Sequence, residues 1–584
     1  VNTTGTQNTA VGAYSLDANT TGSDSTAVGY QALTASTASS STAVGRRALY
    51  QNTSGGDNSA VGQNALANNT TGANNTAVGK SALEVNTTGT SNTAVGSLSL
   101  DANTTGSSNV AVGLNALTLN TTADNNTAIG RSALESNTTG AQNTAVGTYS
   151  LDANTTASSN TAVGYNSLSA NTTGDLNVAV GTNALNSNTV GDRNVAFGHN
   201  ALSTFNPASK SDTYNAAFGL NSLFGCTTGT NNAGIGSLTL ESNTTGGDNT
   251  ACGTGALQSN TTASDNTAHG YAALNANTTG TQNTAVGALA LDAVTTGSQN
   301  TALGYRALSA QSGATSYNTA VGTDAGANIT TGDSHVLIGY SAGATLTTGY
   351  HNTVVGRNAM LYATTAHSSV VIGKEAGTSI TTGANNTIMG RNAAEDLTTG
   401  GQNVAIGTLA GGDLTTQEYN VFIGYEAGRK TTASNNVAIG GLALDNNTTG
   451  IQNTAIGRNA LTGSTTASNN TAVGHGALSD ATTGIRNVAV GVFACDAVTT
   501  ANDNTGIGSY ALSAVTTGQD NTGLGRSAGL AITTGNNNVC IGESSDVDTA
   551  GRSRIVALGQ GVGSFASDGT SRILGDSGIY NTGN

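Results

Sequence analysis

The sequence predicts an all-β protein, a parallel β-solenoid (β-roll) of about 33 coils with a 17-residue repeat, forming an elongated rod. The first observation is that variants of one phrase, N-T-A-V-G-x-x-A-L-x-x-N-T-T-G-x-x, recur along nearly the whole chain. A fixed short period indicates one structural unit stacked on copies of itself. The second observation is the density of Thr, Asn and Gly, which disfavour helix interiors. Helical repeats and propeller blades also need a longer unit.

The glycine that closes N-T-A-V-G marks every coil, from Gly12 to Gly559. We number each coil from its first Asn, so this glycine is position 5. Its spacing is 17 residues except in four steps of 16, 21, 18 and 16 residues: Gly29–Gly45, Gly198–Gly219, Gly304–Gly322 and Gly424–Gly440. The repeat therefore predicts a solenoid shaft over residues 1–559. Residues 560–584 break the repeat and are predicted to form a C-terminal cap or a junction.

Positions 2 to 5, T-A-V-G, are predicted to form a short strand. Side chains alternate along a strand, so positions 2 and 4 face one way and positions 3 and 5 the other. Position 4 is apolar in almost every coil, which predicts that it faces the inside of the coil (for example Val11, Ile129, Phe197, Leu303, Met389). The small residues at positions 3 and 5 would then form a smooth outer face for partner chains. The constant glycine predicts a positive φ or a very close backbone contact.

The A-L pair at positions 8 and 9 is predicted to form a second strand or a bend, and N-T-T-G turns the chain back. Position 9 is usually Leu with Asn at position 12, but Gly at position 9 goes with Ile or Leu at position 12, as in Gly377 with Ile380. Gly428 breaks this rule. Such a swap keeps the volume of one cavity constant, so both positions are predicted to point inward and touch. The Asn columns at positions 1 and 12 predict ladders of stacked amides.

Composition excludes several classes of protein. The chain has a net charge of −15, only 9 % charged residues, no basic patch for nucleic acid and no apolar run of 18 residues for membrane insertion in this segment. Aromatic residues are 4 %, too few for ordinary globular cores of this length. The four cysteines replace small residues of the repeat and are predicted to be buried free thiols: Cys226, Cys252, Cys495 and Cys540.

No catalytic constellation, metal site or cofactor motif stands out, so the sequence predicts a protein that is not an enzyme and has no cofactor. Paired acids in a groove, which a polysaccharide depolymerase needs, are not recognisable. His335, His351 and His367 occupy positions 1, 17 and 16 of successive coils, and chance placement in turns is favoured over a metal or anion site. His269 occupies position 4 and is predicted to be a buried, neutral, hydrogen-bonded residue.

Two surface features are candidates for binding. Position 6 carries an outward column of Tyr, Arg and Lys, and position 10 often carries an acid, which predicts a solubilising edge with weak ion pairs or, alternatively, a sugar-stacking stripe of Tyr. The 21-residue step predicts a surface loop, and loops often carry function. Its candidate receptor-binding residues are Phe205, Pro207, Lys210 and Tyr214. A shorter interruption lies near residues 311–317.

The phrase N-T-A-V-G-x-x-A-L resembles the N-S-V-A-I-G-x-x-S-type repeats in the head of trimeric autotransporter adhesins. It is also similar to N-T-A-I-G-rich repeats of phage and marine viral tail fibres and of bacterial surface proteins, many of which end in a self-cleaving intramolecular chaperone domain. The resemblance covers the chain from its start to about Gly559. It implies β-rolls assembled as a homotrimer, located outside the cell on a virion tail fibre or a cell surface.

The expected function is that of a structural fibre or adhesin shaft, a tail fibre or surface adhesin that mediates attachment to a host or cell surface. Its expected partners are two further copies of itself and a surface glycan or protein receptor. The alternative is a self-polymerising extracellular filament, because the uncapped end of a solenoid exposes unpaired strand edges. Ice binding by Thr columns is disfavoured, because the Val beside each Thr is predicted to point inward.

Overall fold

The computed structural model describes residues 2–547 and 549–563 and the backbone of residues 572–574. These residues form a parallel β-solenoid of about 32 to 33 turns with about 17 residues per turn, which confirms the predicted fold class. They form strands, turns and bends, and none belongs to a helix that could cross a membrane. The chain divides into two compact units, Val1–Gly297 and Ser298–Asn584.

In the first unit, each coil contributes a three-residue strand that pairs in parallel with the strand of the next coil, equivalent positions side by side, as in Thr9 with Thr26. A second, two-stranded sheet, β12 with β14, marks the 21-residue coil. The strands are β1 Thr9–Val11, β2 Thr26–Val28, β3 Thr42–Val44, β4 Ser59–Val61, β5 Thr76–Val78, β6 Thr93–Val95, β7 Val110–Val112, β8 Thr127–Ile129, β9 Thr144–Val146, β10 Thr161–Val163, β11 Val178–Val180, β12 Gly191–Asp192, β13 Val195–Phe197, β14 Ser211–Asp212, β15 Ala216–Phe218, β16 Ala233–Ile235, β17 Thr250–Cys252, β18 Thr267–His269 and β19 Thr284–Val286.

The second unit repeats this arrangement in the same register, as in Thr301 with Thr319. Its strands are β20 Thr301–Leu303, β21 Thr319–Val321, β22 Val336–Ile338, β23 Thr353–Val355, β24 Val370–Ile372, β25 Thr387–Met389, β26 Val404–Ile406, β27 Val421–Ile423, β28 Val437–Ile439, β29 Thr454–Ile456, β30 Thr471–Val473, β31 Val488–Val490, β32 Thr505–Ile507, β33 Thr522–Leu524, β34 Val539–Ile541, β35 Val556–Leu558 and β36 Arg572–Leu574.

The inward residue of each strand is position 3, not position 4. Ala27 and Ala77 are fully buried, whereas the position-2 and position-4 side chains on either side of them face out of the coil. The prediction that position 4 lies inside the coil is therefore wrong, and so is the prediction that positions 3 and 5 form the outer face. A strand of three residues can turn only its middle side chain or its two ends inward. The interior already holds a buried Leu at position 9, such as Leu83, and has room for Ala.

The A-L pair lies in a series of turns, so the alternative of a second strand at these positions is wrong. Ser81 at position 7 and Leu83 at position 9 both have left-handed backbone angles, with φ of 56° and 54°. Non-glycine residues adopt this conformation rarely, and each one bends the chain sharply. The bends bring Leu83 and Asn86 into the coil, where both are fully buried, as predicted for positions 9 and 12.

The swap between positions 9 and 12 has the predicted physical basis. A Cβ atom added to Gly377 would lie 2.6 Å from Cδ1 of Ile380, so the two positions share one space. Gly428, the exception, is explained by position 3 of its own coil. A Cβ atom on Gly428 would lie 2.6 Å from Cε1 of Phe422, whose ring fills the space that Leu normally occupies. The cavity therefore has three walls, formed by positions 3, 9 and 12.

Buried Asn side chains hold successive coils together, as predicted. At position 12, Nδ2 of Asn86 donates to Oδ1 of Asn69 in the preceding coil (2.8 Å) and to the carbonyl of Gly89 in its own turn (3.0 Å). At position 1, Oδ1 of Asn75 accepts from the backbone N–H of Asn92 in the next coil (3.0 Å). These bonds satisfy buried polar groups, which would otherwise carry a large desolvation penalty.

The position-5 glycine combines both properties predicted for it. Gly147 has a φ of 138°, and a Cβ atom on it would lie 2.4 Å from the carbonyl oxygen of Gly164 in the next coil. Successive coils therefore touch backbone to backbone at this corner.

At the C-terminal end of the described chain, β36 pairs in parallel with β35, with Val556 beside Arg572. Residues 564–571 and 575–584, which make up most of the predicted cap or junction over 560–584, lie outside the described residues. That part of the domain division stays a prediction.

Candidate interaction surface

The outer face of the main sheet has no charged residue in the repeat strands from β1 to β35. Position 2 is Thr, Ser, Val or Ala, and position 4 is apolar in every repeat strand except at His269. Asp, Glu, Lys and Arg occupy neither position in β1–β11, β13 or β15–β35. Because position 4 points outward, the prediction that the Val beside each Thr points inward is wrong. Ice binding stays disfavoured, because it needs paired columns of outward Thr and the neighbour of the position-2 column on this face is the apolar position-4 column.

We call the column of position-4 side chains the position-4 strip. In the first unit its most exposed members past the first coil include Val61 (39 %), Ile129 (40 %), Phe197 (53 %), Phe218 (39 %) and Ile235 (50 %). Fully burying a Val or Leu side chain contributes about 1.5–3 kcal/mol. At about 25 cal/mol per Å², this energy corresponds to an apolar area of roughly 100 Å² per side chain. At an exposure near 40 %, an exposed member shows about 40 Å², and because about half of the strip side chains in this unit are less exposed, the strip shows roughly 500 Å² in all. Contiguous apolar patches above a few hundred Å² are unusual on monomers and mark interaction sites.

Two phenylalanines interrupt the run of aliphatic residues in this strip. Phe197 and Phe218 lie side by side in adjacent strands β13 and β15. Their rings stack with centroids 6.4 Å apart and an angle of 21° between the planes. The exposed Ile235 follows in the next coil. The bulkiest part of the strip in the first unit is thus at the coil that carries the insertion.

His269 lies on the same outer face, and its predicted burial is wrong because position 4 points outward. Its neighbours along the strip are Cys252 in the preceding coil and Val286 in the following coil. The imidazole is the one strongly polar side chain in the position-4 strip of the described strands.

The insertion folds back over the preceding coils. Nζ of Lys210 donates to Oδ2 of Asp175 (2.6 Å) and to the carbonyl of Thr173 (2.7 Å), two coils back along the chain. The hydrogen bond to Asp175 is the main reason why the pKa of Lys210 is raised. Phe205 and Pro207 are buried, with Phe205 in the inward column at position 12. These two side chains therefore support the loop from beneath.

Lys210 and Tyr214 are the accessible members of the four predicted binding residues. The Tyr214 hydroxyl donates to Asp212 (3.0 Å), which also pairs with Arg193 (2.7 Å). The hydrogen bond from Arg193 lowers the pKa of Asp212. The loop thus presents an aromatic ring beside alternating charges, and its role in receptor contact stays a prediction.

The column at position 6 is an exposed edge of tyrosines and basic residues, as in Tyr165 and Tyr271. Some of its ion pairs in the second unit join neighbouring coils, for example Arg357 with Glu375 (2.7 Å), whereas Lys374 pairs with Glu375 within one coil (3.3 Å). Exposed pairs of this kind contribute little to stability. The acids at position 10 are half-buried: burial raises the pKa of Asp152, and the nearby carboxylate of Glu135 raises it further. The sugar-stacking interpretation of the tyrosines stays a prediction.

His335 is built into the buried Asn column at position 1. One ring nitrogen, Nε2, lies 2.9 Å from the carbonyl of Gly349, and Nδ1 accepts the backbone N–H of Asn352 (3.3 Å). The imidazole thus makes the two contacts that an Asn amide makes elsewhere, and burial lowers its pKa. His367 instead stacks on Tyr350 with ring centroids 4.7 Å apart. Within the described residues, no three metal-binding side chains come together.

Three of the four cysteines are buried free thiols, as predicted: Cys226, Cys495 and Cys540. Burial raises the pKa of each of these three thiols to about 12, so few of them ionise at neutral pH. Cys252 is half-exposed, contrary to the prediction, because it lies in the outward position-4 strip.

Comparison of the sequence with models of protein families gives no match, and comparison with the curated proteins gives none either.

Proposed function

We propose that this chain is the shaft of an extracellular attachment fibre, a tail fibre or surface adhesin, in which three copies pack side by side. The observation that supports this proposal best is the position-4 strip. It exposes an apolar side chain in coil after coil on a face without formal charge. An apolar area of roughly 500 Å² in one unit is more than half of the ~800 Å² that each partner contributes to a standard specific interface.

A second copy of the chain is the partner that fits this strip. Its apolar side chains repeat once per coil, at the spacing of neighbouring strands, about 4.8 Å. A partner must offer apolar groups at the same spacing to cover all of these side chains. Another copy of the chain does so because it has the same repeat. Copies packed side by side around a shared centre bury the strips of all copies at once. The number three comes from the resemblance to adhesin heads.

The proposed role is to hold and display and involves no turnover of a substrate. In a repeat array each coil contacts only its neighbours, so length is set by the number of coils. That property suits a spacer between an anchor and a receptor. The receptor, a surface glycan or a protein, would meet the exposed edges away from the strip, with Lys210 and Tyr214 as the first candidates.

The assembly is tested by measuring the mass of the purified full-length chain, 57.2 kDa per copy, by native mass spectrometry and sedimentation. We expect a trimer. Replacing Val61, Val78 and Val95 together by Asp should give folded monomers, because these side chains point away from their own coil. The matched control replaces the exposed Thr71, Thr88 and Thr105, which lie on the N-T-T turn, by Asp and should stay trimeric. A wild-type monomer or an open-ended polymer contradicts the proposal, and the polymer supports the filament alternative.

The attachment role is tested with the labelled full-length chain on candidate host cells and on glycan arrays. Saturable binding that is lost on changing Lys210 and Tyr214 to Ala supports it. Release of reducing ends from a polysaccharide contradicts the proposal that nothing is turned over. Trimers that bind no surface show that this chain is a spacer without a receptor site.

A further inference from the structure

We infer that Phe197, Phe218 and His269 fix the register between associated copies in the first unit, so that copies lie parallel and each coil faces the same coil of its neighbour. This inference rests on the proposed association through the position-4 strip. It goes further because the strip alone does not determine which coil meets which.

Most of the strip in the first unit is too uniform to specify a register. Position 4 is Val in β1–β7 and β9–β11, and the Ala at position 3 beneath it is the same in each of these coils. Sliding one copy by one coil replaces a Val–Val contact by another Val–Val contact. Flat repetitive strands are therefore prone to slip, unless some residues break the repetition. In the first unit the residues that break it most strongly are Phe197, Phe218 and His269.

The phenylalanine pair acts through shape. Phe197 and Phe218 are the largest apolar side chains of the strip in the first unit, and their rings already stack on each other within one chain. In register, the pairs of neighbouring copies meet and form one aromatic cluster, for which offset and edge-on contacts are favourable. After a slip of one coil, a ring of each pair faces Val180 or Ile235, and the difference in side-chain size leaves a gap or a clash.

His269 acts through hydrogen bonding. A neutral imidazole has one N–H donor and one acceptor nitrogen. In register, His269 faces the same ring of a neighbouring copy, so one ring donates and the other accepts. After a slip of one coil it faces Cys252 or Val286 in the partner's strip, and its polar atoms are buried without an equivalent partner. A single polar residue in an apolar seam fixes register in coiled coils by the same physics.

The face and the direction are tested first, with the native thiol Cys252. It is the half-exposed cysteine, whereas Cys226, Cys495 and Cys540 are buried. The full-length assembly is treated with a short bis-maleimide whose span matches the ~10 Å between packed sheets. Parallel copies in register should give a covalent dimer through Cys252 of both chains, and Cys252→Ser should abolish it. In antiparallel copies centred on His269, Cys252 of one chain lies opposite Val286 of the other, which has no thiol. Such copies therefore give the covalent dimer only in a variant that also carries Val286→Cys.

The register itself is tested by electron cryomicroscopy of the full-length assembly, with the insertion that carries Lys210 as a landmark on each copy. The resolution must separate coils about 4.8 Å apart. We expect one class in which the insertions lie at the same height. The triple variant Phe197→Val, Phe218→Val, His269→Val should show additional classes offset by whole coils. The matched control Val112→Leu, Val146→Leu, Val163→Leu changes three ordinary strip residues and should keep one class.

The possible outcomes separate the two proposals. A trimer whose wild-type copies show several offsets, or whose triple variant keeps a single register, overturns this inference and leaves the proposed association standing. A monomer that gives no Cys252 cross-link overturns the association and the inference together. A trimer that lacks the Cys252 cross-link and packs through another face overturns the role assigned to the strip.

Discussion

Changing Leu83 to Gly empties the space that positions 9 and 12 share, and changing Asn86 to Ile as well should refill it. The natural pair Gly377 and Ile380 shows that the refilled arrangement fits the coil, because Cδ1 of Ile380 reaches the place of the missing Cβ. The two single variants and the double variant form a double-mutant cycle. Its coupling energy measures how far the two positions depend on one cavity.

The cost of Leu83→Gly has two parts of opposite sign. Removing a fully buried Leu side chain costs about 2–5 kcal/mol when the cavity stays open. Leu83 has a φ of 54°, however, and glycine adopts a left-handed backbone without the penalty of about 1–2 kcal/mol that other residues pay. We therefore expect a net loss of about 0–4 kcal/mol from these two terms.

Asn86→Ile breaks the amide ladder as well as overfilling the cavity beside Leu83. The amide of Asn86 bonds to Asn69 and Gly89, and it accepts from Asn103 (2.8 Å). Each buried partner left unpaired costs about 1–3 kcal/mol. Overpacking against Leu83 adds about 1–3 kcal/mol. The double variant keeps the ladder loss but has neither the cavity nor the overpacking.

We therefore expect the double variant to be at least as stable as Asn86→Ile alone, with a favourable coupling of about 2 kcal/mol or more. Hydrogen exchange of peptides in the coil at residues 75–91 should measure it, because a long repeat array need not unfold as one two-state unit. The matched cycle with Leu134 in place of Leu83 and Asn86→Ile unchanged should be additive, because that leucine is three coils away. A coupling within about 0.5 kcal/mol for Leu83 with Asn86 would refute the shared cavity.

Three further results are expected. Gly147→Ala should open the stack locally, with faster hydrogen exchange there, because its Cβ would lie 2.4 Å from the oxygen of Gly164 and its φ is 138°; unchanged exchange would contradict the close contact. Asp152→Asn should raise the stability of the folded protein at pH 7, because burial raises the pKa of the Asp152 carboxyl above 3.8 in the folded state and so penalises its charged form. The gain should vanish as the pH falls below 3.8, where the carboxyl is protonated in the folded and unfolded states alike, and thermal melts at pH 7 and pH 3 test this. The His335→Asn variant should melt near the wild-type temperature, because Asn can make the same two hydrogen bonds as His335. The His335→Leu variant should melt at a clearly lower temperature, because Leu makes neither bond. Equal melting temperatures of the two variants would show that these bonds contribute nothing to stability.

The fold could be predicted because the period alone fixes most of it. A constant glycine once per 17 residues determines the stacking, and the exchange between Leu83-type and Ile380-type residues reveals two inward positions. The amide columns follow from the same periodicity. The stacking, the two inward positions and the amide columns can all be predicted without knowing the backbone conformation within a single coil.

The direction of the strand could not be predicted from side-chain polarity. Thr-Ala-Val places the largest apolar residue at position 4, and burial of apolar side chains then points it inward. In the folded coil, Leu at position 9 enters from the opposite wall and leaves room only for Ala. A signal was present in the second unit, where a large residue at position 3 accompanies Gly at position 9, as in Leu337 with Gly343 and Phe422 with Gly428.

The candidate site was missed for the same reason. With position 4 assigned to the interior, Phe197, Phe218 and His269 could not be recognised as surface residues. Phe205 was expected on a loop, yet it takes the place of Asn at position 12 and is buried. The left-handed residues at positions 7 and 9 turn the chain in a way that no propensity scale indicates, because Ser and Leu seldom adopt that conformation.

The hydrogen bonds between coils also determine how such a chain would respond to a pulling force. They run from each coil to the next, so tension applied at the ends loads one rung at a time and peels coils off in sequence. Each released coil of 17 residues adds up to roughly 60 Å of extended chain. The bond from Lys210 to Asp175 ties the widened coil to one two coils away, but this pair is exposed and adds little resistance. A molecule of this design lengthens in equal steps under load, which single-molecule stretching would record as a regular sawtooth.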